Sequence, residues 1–136
     1  MRSRRLGLAI SAAIIVPSLG FAHHSHVHYE PVNTVRVSGT VTEVQWVNPH
    51  TWFFMNVVNE QGRIEEWALE SGAPSQLVRR GWKAGSVKPG DTITAIVKPL
   101  KGGAKGGLLG TIILSDGTEL CDPFGGDLPL TAVCEN

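Results

Sequence analysis

Residues 35–46 of the chain read VRVSGTVTEVQW, and this stretch decides the fold. Its apolar residues alternate at every second position as far as Val41, and the alternation resumes on the other parity at Val44 and Trp46. A period of two predicts a β-strand, and a phase slip of one residue predicts a β-bulge, here at Thr42-Glu43. The first strand is therefore expected to be long and bent.

Further elements follow on the C-terminal side. Thr51–Val58 is apolar at almost every position, which predicts a second strand that is covered on both faces. The polar residues 59–62 form a hairpin turn into a third strand. The remaining expected elements are the third strand at Arg63–Leu69, a short helix after Ser71–Ser75 that Gly81 ends and that buries Leu77, Val78 and Trp82, a fourth strand at Thr92–Pro99 and a fifth at Leu108–Leu114.

This order of elements predicts a mostly β protein, a small five-stranded OB-like barrel with one short helix between strands three and four. In such a barrel one bent strand serves both sides and the helix covers one end. A small open sandwich or meander with a packed helix is the alternative. Residues 101–107, KGGAKGG, are too rich in glycine to hold one conformation alone. Residues 115–136 are expected to form an irregular tail.

The N-terminus has the three parts of a secretory signal peptide. Three arginines precede an apolar run at Leu6–Val16, and Gly20-Phe21-Ala22 offers small residues for cleavage. The run is shorter than the roughly 20 residues that a membrane-spanning helix needs, so no stable membrane insertion is expected after cleavage; an uncleaved anchor is the alternative. The expected parts are a signal peptide at 1–22, a flexible histidine-rich arm at 23–34, the barrel at 35–114 and the tail at 115–136.

The charge of the chain limits the classes of partner that are expected. Residues 1–22 hold three of the twelve basic residues and no acidic one, so the rest of the chain has a small acidic excess. This excess argues against nucleic acid as a partner.

Cys121 and Cys134 are expected to pair as a disulfide in an oxidising compartment. In the chain-entropy model such a disulfide stabilises the fold by about 3 kcal/mol. A metal-binding cysteine pair is disfavoured by the long spacing and the absence of further ligands nearby.

Four histidines follow the expected cleavage site, at His23, His24, His26 and His28. After cleavage, the free amine and the imidazole of His23 can chelate one metal ion, and the neighbouring imidazoles can complete the site. Nitrogen ligands of this kind suit Cu(II), Ni(II) or Zn(II), with copper bound most strongly. The alternative is a solvated tail whose histidines bind metal only incidentally. The fifth histidine, His50, lies in the turn between the first two strands.

That turn, WVNPHTW at 46–52, is a second candidate site. In an OB-type barrel it lies beside the loop between strands four and five, and the two loops border the usual ligand face. Aromatic rings there can stack a sugar or another planar ligand, and lysines can steer an anion. The alternative places both tryptophans in the core, with His50 only capping the turn. The candidate ligand-binding residues are Trp46, Asn48, His50, Trp52, Lys101 and Lys105.

No pattern of catalytic residues is present. Glu65, Glu66 and Glu70 are the densest acidic group, and alternation along the third strand explains them as a solvated strand face. The chain contains no recognisable catalytic triad, phosphate loop or dinucleotide fingerprint. We therefore expect a protein that is not an enzyme.

Several motifs carry a family resemblance: AHHS at 22–25, VQWVNPH at 44–50, WALE at 67–70, RRGW at 79–82 and KPGD at 88–91. With them the chain resembles a family of small exported proteins of Gram-negative bacteria whose domain has no known function. The resemblance covers about Ala22 to Leu114. It implies a periplasmic OB-like β-barrel without an assigned activity.

Three functions follow as hypotheses. The first is a non-enzymatic periplasmic protein that binds a transition metal, copper or else zinc, through His23, His24, His26, His28 and His50. The second is an OB-type module that binds a small ligand or a partner through the 46–52 turn and the 101–107 loop. The third is an envelope structural or assembly protein with a protein partner in the envelope.

Overall fold

The computed structural model describes residues 28–29 and 33–122. Short polar or glycine-containing segments separate its elements. The elements are β1 (Val35–Gln45), β2 (Trp52–Val58), β3 (Ile64–Glu70), α1 (Pro74–Arg79), β4 (Thr92–Pro99), a single 3₁₀ turn (Lys101–Gly103), β5 (Gly106–Leu114) and β6 (Glu119–Cys121).

The strands close into a barrel. Neighbouring strands follow the order β3-β2-β1-β4-β5-β6, and a parallel pairing of β3 with β5 joins the sheet to itself. Five strands form the closed barrel and β6 is an extra strand at β5. The prediction of a mostly β, five-stranded OB-like barrel with one helix between β3 and β4 is confirmed.

The first strand bends as its sequence predicts. Residues 35–40 pair with β4, whereas the residues from Thr40 onward pair with β2. The register with β2 shifts between Val41 and Glu43, which puts the bulge at Thr42. A bulge bends its strand and increases the local twist, so β1 serves both sides of the barrel. The predicted bulge is confirmed.

The barrel closes where the glycine-rich segment ends, which corrects the prediction of a loop through residue 107. β5 already begins at Gly106, where β3 and β4 approach it from both sides. A Cβ atom at Gly106 would lie 2.5 Å from the carbonyl oxygen of Ala68, and one at Gly107 would lie 2.2 Å from that of Lys98. Only glycine fits a backbone approach this close, so these two glycines belong to the closure rather than to a flexible loop.

The beginning of the C-terminal tail is also ordered, contrary to the expectation of irregular structure from residue 115. β6 pairs with β5, and the buried carboxylate of Asp122 follows it. That carboxylate accepts hydrogen bonds from the Ser71 hydroxyl (2.8 Å) and from the Gly72 N–H (3.1 Å). These contacts fasten the end of β6 to the segment that follows β3. Residues 119–122 alone show no alternating pattern, so their sequence does not reveal the strand.

The helix covers one end of the barrel with fewer residues than expected. Leu77 and Trp82 are buried, but Val78 is 56% exposed, so its predicted burial is wrong. A helix this short turns only one residue inward, and the chain beyond it supplies the second. Its end has Schellman geometry, because Gly81 has φ +87° and the N–H groups of Gly81 and Trp82 bond to the carbonyls of Val78 and Leu77.

One apolar core fills the barrel. The inward positions of every barrel strand contribute to it, and the rings of Phe53 and Trp82 meet at 5.8 Å between centroids. The indole N–H of Trp82 donates to the carbonyl of Cys121 at 2.6 Å, which links the helix end to β6. The most deeply buried large side chains are Trp82, Phe53, Met55, Leu69, Leu77, Ile93, Leu109 and Ile112.

Candidate functional site

A cluster of three polar side chains lies at the end of the barrel where β2 begins. His50 Nδ1 contacts Oε1 of Glu70, and the hydroxyl of Tyr29 donates to Oε2 of the same carboxylate. The His50 and Glu70 side chains are 21% and 18% exposed, so the pair is partly shielded from water. One carboxylate therefore joins the β1–β2 turn to the segment that precedes β1.

Backbone hydrogen bonds hold the members of this cluster in place. The ladder between β2 and β3 continues one step further, because Thr51 N–H donates to the Gly72 carbonyl and Ser71 N–H donates to the Thr51 carbonyl. This extension keeps His50 beside Glu70. Tyr29 forms a β-bridge with Leu100, just beyond the end of β4. The segment before β1 is thus fixed to the barrel at a point far from its own strand in sequence.

Burial raises the pKa of the Tyr29 phenol well above its ordinary value, and the hydrogen bond to Glu70 and the charge of that carboxylate raise it further. A phenolate would face a carboxylate in a partly dry site. Since the folded state holds the proton more tightly than the unfolded state, this group stabilises the fold below about pH 10. The stabilisation is lost as the pH rises above that value.

We therefore expect an abnormal alkaline titration of Tyr29, which is the only tyrosine in the chain. Absorbance at 295 nm should show tyrosinate only well above pH 10 in the folded protein. In a Glu70→Gln variant the tyrosinate should appear at lower pH, because the negative charge beside the phenol is removed. A midpoint near 10 in the unsubstituted protein would contradict the Tyr29–Glu70 contact.

The cluster has the arrangement that orients histidines which bind metals. Such histidines commonly give one ring nitrogen to a carboxylate, which fixes the tautomer and the ring plane and leaves the other nitrogen to face the ion. Here Glu70 takes the Nδ1 side of His50. Within residues 28–29 and 33–122, however, no group of three or more His, Cys, Asp or Glu side chains is placed to hold a metal ion. The described part thus holds one imidazole in contact with a carboxylate and contains no complete metal site.

The histidine arm lies largely outside the described residues. His23, His24 and His26 fall there, and so does the expected signal peptide at 1–22. His28 is described; it is exposed and immediately precedes Tyr29. The arm therefore reaches the barrel at the residue next to the His50–Glu70–Tyr29 cluster.

The turn and loop residues occupy different surroundings. Trp46 is partly buried and packs against the core, as expected for a core-supporting residue. Trp52 lies on the outward face of β2, where its ring stacks on Phe54 with 6.4 Å between centroids, so a core position for Trp52 is wrong. Both Asn48 and Lys101 are exposed.

Lys105 is held on the other side of β3. Its ammonium lies 3.1 Å from a Glu65 carboxylate oxygen and 5.9 Å from the ring centre of Trp67. The side-chain hydrogen bond from Asn59 lowers the pKa of Glu65 most, and the hydrogen bond and charge of Lys105 lower it further.

Glu70 and Tyr29 are the residues that reasoning from sequence missed. Glu66 is exposed, in agreement with a solvated strand face, but that prediction is wrong for Glu70. Its partners come from a turn and from the preceding arm, so a local pattern cannot reveal them. The available signal was chemical: the single tyrosine of the chain directly follows the last of the four clustered histidines.

The predicted disulfide includes one cysteine that lies outside the described residues. Cys121 ends β6, whereas Cys134 lies outside the described residues, so the disulfide stays a prediction.

Over the described ranges, no helix combines the length and the apolar character that crossing a bilayer requires.

Comparison with known proteins gives one family. Residues 12–110 match the model described as a family of unknown function (DUF6152). The match takes in most of the barrel together with the histidine arm and ends within β5. No curated protein and no solved structure matches the chain.

Proposed function

We propose that this chain, which belongs to the family of unknown function DUF6152, is an exported, non-enzymatic protein that binds a transition metal ion in the periplasm. The metal is copper, with zinc as the weaker competitor. The ligands are His23, His24, His26 and His28 of the arm together with His50 of the β1–β2 turn.

The single observation that carries this proposal is the shared carboxylate of Glu70. It contacts the imidazole of His50 and accepts the hydrogen bond of Tyr29, the residue that follows His28. His28, the last histidine of the arm, therefore directly precedes the residue that shares Glu70 with His50. A carboxylate at Nδ1 is the partner that metal-binding histidines commonly have.

The arm supplies what the barrel lacks. Cleavage after Ala22 would free an amine on His23, and an amine with its own imidazole forms a compact two-nitrogen chelate. Together with His50 these groups would supply nitrogen ligands of the kind that Cu(II) prefers. The proposal thus depends on export and on cleavage at that bond, for which the support is the arginine, apolar and small-residue pattern of residues 1–22.

Titration calorimetry of the processed protein tests the proposal. The protein is isolated from the periplasm, its first residue is verified as His23 by mass spectrometry, and Cu(II) and Zn(II) are titrated separately. We expect one Cu(II) ion to bind with a micromolar or lower Kd, and Zn(II) to bind more weakly. Absence of saturable binding of both ions at micromolar concentration would contradict the proposal.

Glu70 gives a more specific prediction. In Glu70→Gln the imidazole of His50 loses the anionic partner that orients it, and we expect the Cu(II) affinity to fall about 10- to 100-fold, as for other residues that orient metal ligands. Glu66→Gln is the matched control, because Glu66 lies on the same strand and the same face but is exposed. Its affinity should stay within about twofold. Equal Cu(II) affinities for the two variants would show that Glu70 does not orient a ligand of the metal ion.

A second candidate function is ligand or partner binding at the outer side of the barrel. It is favoured by the stacked Trp52–Phe54 pair, which is partly exposed although the core lies on the opposite face. This function includes the third hypothesis, an assembly role in the envelope with a protein partner. Trp46, Asn48, Lys101 and Lys105 remain proposed contributors to it.

A further inference from the structure

The outward positions of β1, β2 and β3 form one continuous surface. Residues that are directly opposite in antiparallel strands share a face. Alternate residues of β2 are buried, so the remaining ones point outward with their partners. The resulting rows are Gln45–Trp52–Glu70, Glu43–Phe54–Ala68 and Thr40–Asn56–Glu66, followed by the pair Val58–Ile64. We call this surface the acidic aromatic face.

Its centre is apolar. The rings of Trp52 and Phe54 stack with an interplanar angle of 20°, so they form a nearly continuous platform. Val58 and Ile64 lie beyond the polar Asn56–Glu66 row and are 66% and 68% exposed. The core does not require these side chains, because Phe53 and Met55 fill it from the other side of the same strand. An exposed apolar patch with a polar rim marks an interaction site.

Its rim is anionic. Glu43 and Glu66 are exposed on the two flanks, and Glu70 lies beside Trp52. None of the positions in the rows above holds a lysine or an arginine. The nearest lysine predicted to serve a ligand, Lys105, is engaged with Glu65 on the opposite side of β3. Such a surface repels nucleic acid and other polyanions and attracts cations.

The spacing of the charges selects the kind of cation. Glu43 and Glu66 lie two strands and one row apart, which is about 12 Å from strand and residue spacings. One small amine cannot reach both carboxylates. An extended polypeptide can, because side chains four residues apart in it are about 13 Å apart. Guanidinium or ammonium groups of that segment would also lie over the two rings in cation–π contact.

We infer that the acidic aromatic face binds a basic, extended polypeptide segment, with arginine or lysine side chains paired to Glu43 and Glu66 and lying over Trp52 and Phe54. This inference is independent of the metal proposal, since none of the residues substituted below to weaken peptide binding is a proposed metal ligand. It gives the second candidate function a defined surface and a partner chemistry.

The test uses a fluorescent hexaarginine peptide with the processed protein in EDTA at low ionic strength, followed by anisotropy. We expect saturable binding that is about tenfold weaker in Glu43→Gln/Glu66→Gln, because two charge pairs are lost. The matched control is Asp116→Asn/Glu119→Gln, which removes the same charge from exposed positions in the β5–β6 turn and on β6, outside the face, and should change the Kd less than twofold. Trp52→Leu/Phe54→Leu should also weaken binding, with the fold checked by circular dichroism.

Several outcomes would overturn the inference. Absence of hexaarginine binding would do so, as would equal weakening by the two double variants that remove charge, since that shows only general charge attraction. Preferential binding of hexaglutamate or of cellohexaose would assign the face to another ligand class. A His50→Ala variant should bind hexaarginine with unchanged affinity. The inference about peptide binding and the proposal of copper binding can therefore be contradicted independently of each other.

Discussion

Deletion of residues 23–28 is expected to weaken Cu(II) binding by the processed protein at least about 100-fold, which is roughly 2.7 kcal/mol. The deletion removes the His23 chelate and all imidazoles of the arm, and leaves only His50. Since Glu70 and Tyr29 remain, the barrel and its cluster should be intact. Calorimetry gives the affinity, and thermal unfolding should show an unchanged midpoint.

The control for this deletion keeps every histidine. Ser25→Ala/Val27→Ala changes the two other side chains within the same stretch and should bind Cu(II) with the affinity of the unsubstituted protein. Undiminished binding after the deletion would mean that the arm is not the site. The second candidate function would then be the better explanation of the chain.

Trp82→Ala is expected to produce the largest loss of stability. Trp82 is only 1% exposed, packs against Phe53 and donates to the Cys121 carbonyl, so its removal opens a large cavity and removes that hydrogen bond. Replacing a buried tryptophan with alanine costs about 3–5 kcal/mol. For a domain of this size the unfolding midpoint should fall by about 15 °C or more.

Val78→Ala is the control on the same segment. Val78 is 56% exposed although it is a neighbour of the buried Leu77, so its truncation should change the free energy of unfolding by less than about 0.5 kcal/mol. Urea unfolding followed by circular dichroism measures both variants. Similar losses in the two variants would show that Trp82 does not close the end of the barrel.

Most of the barrel could be predicted because each strand carries its own alternating pattern. The phase slip at Thr42 marked the bulge, and the strand at Thr92–Pro99 was predicted to the residue. The predictions that failed concern features that depend on contacts between segments far apart in sequence. Gly106 and Gly107 are glycines because β3 and β4 crowd them, and a composition argument mistakes that constraint for flexibility. Likewise β6 exists because β5 offers it an edge to pair with.

The candidate site was predicted only in part for the same reason. The histidines could be read from the sequence, because their chemistry is specific and their spacing is visible. The sequence could not identify Glu70 as the partner of His50, since an acidic residue in a strand is usually solvated. Its role follows only when the barrel brings β3, the β1–β2 turn and Tyr29 together.

The coordination of one copper ion by both the arm and the barrel is the central claim, and pulsed electron paramagnetic resonance tests it most directly. The processed protein, loaded with one equivalent of Cu(II), should show several coupled imidazoles, and His50→Ala should show one fewer. A spectrum in which His50→Ala leaves the number of coupled imidazoles unchanged would contradict the account, because the ion would then be bound by the arm without the barrel.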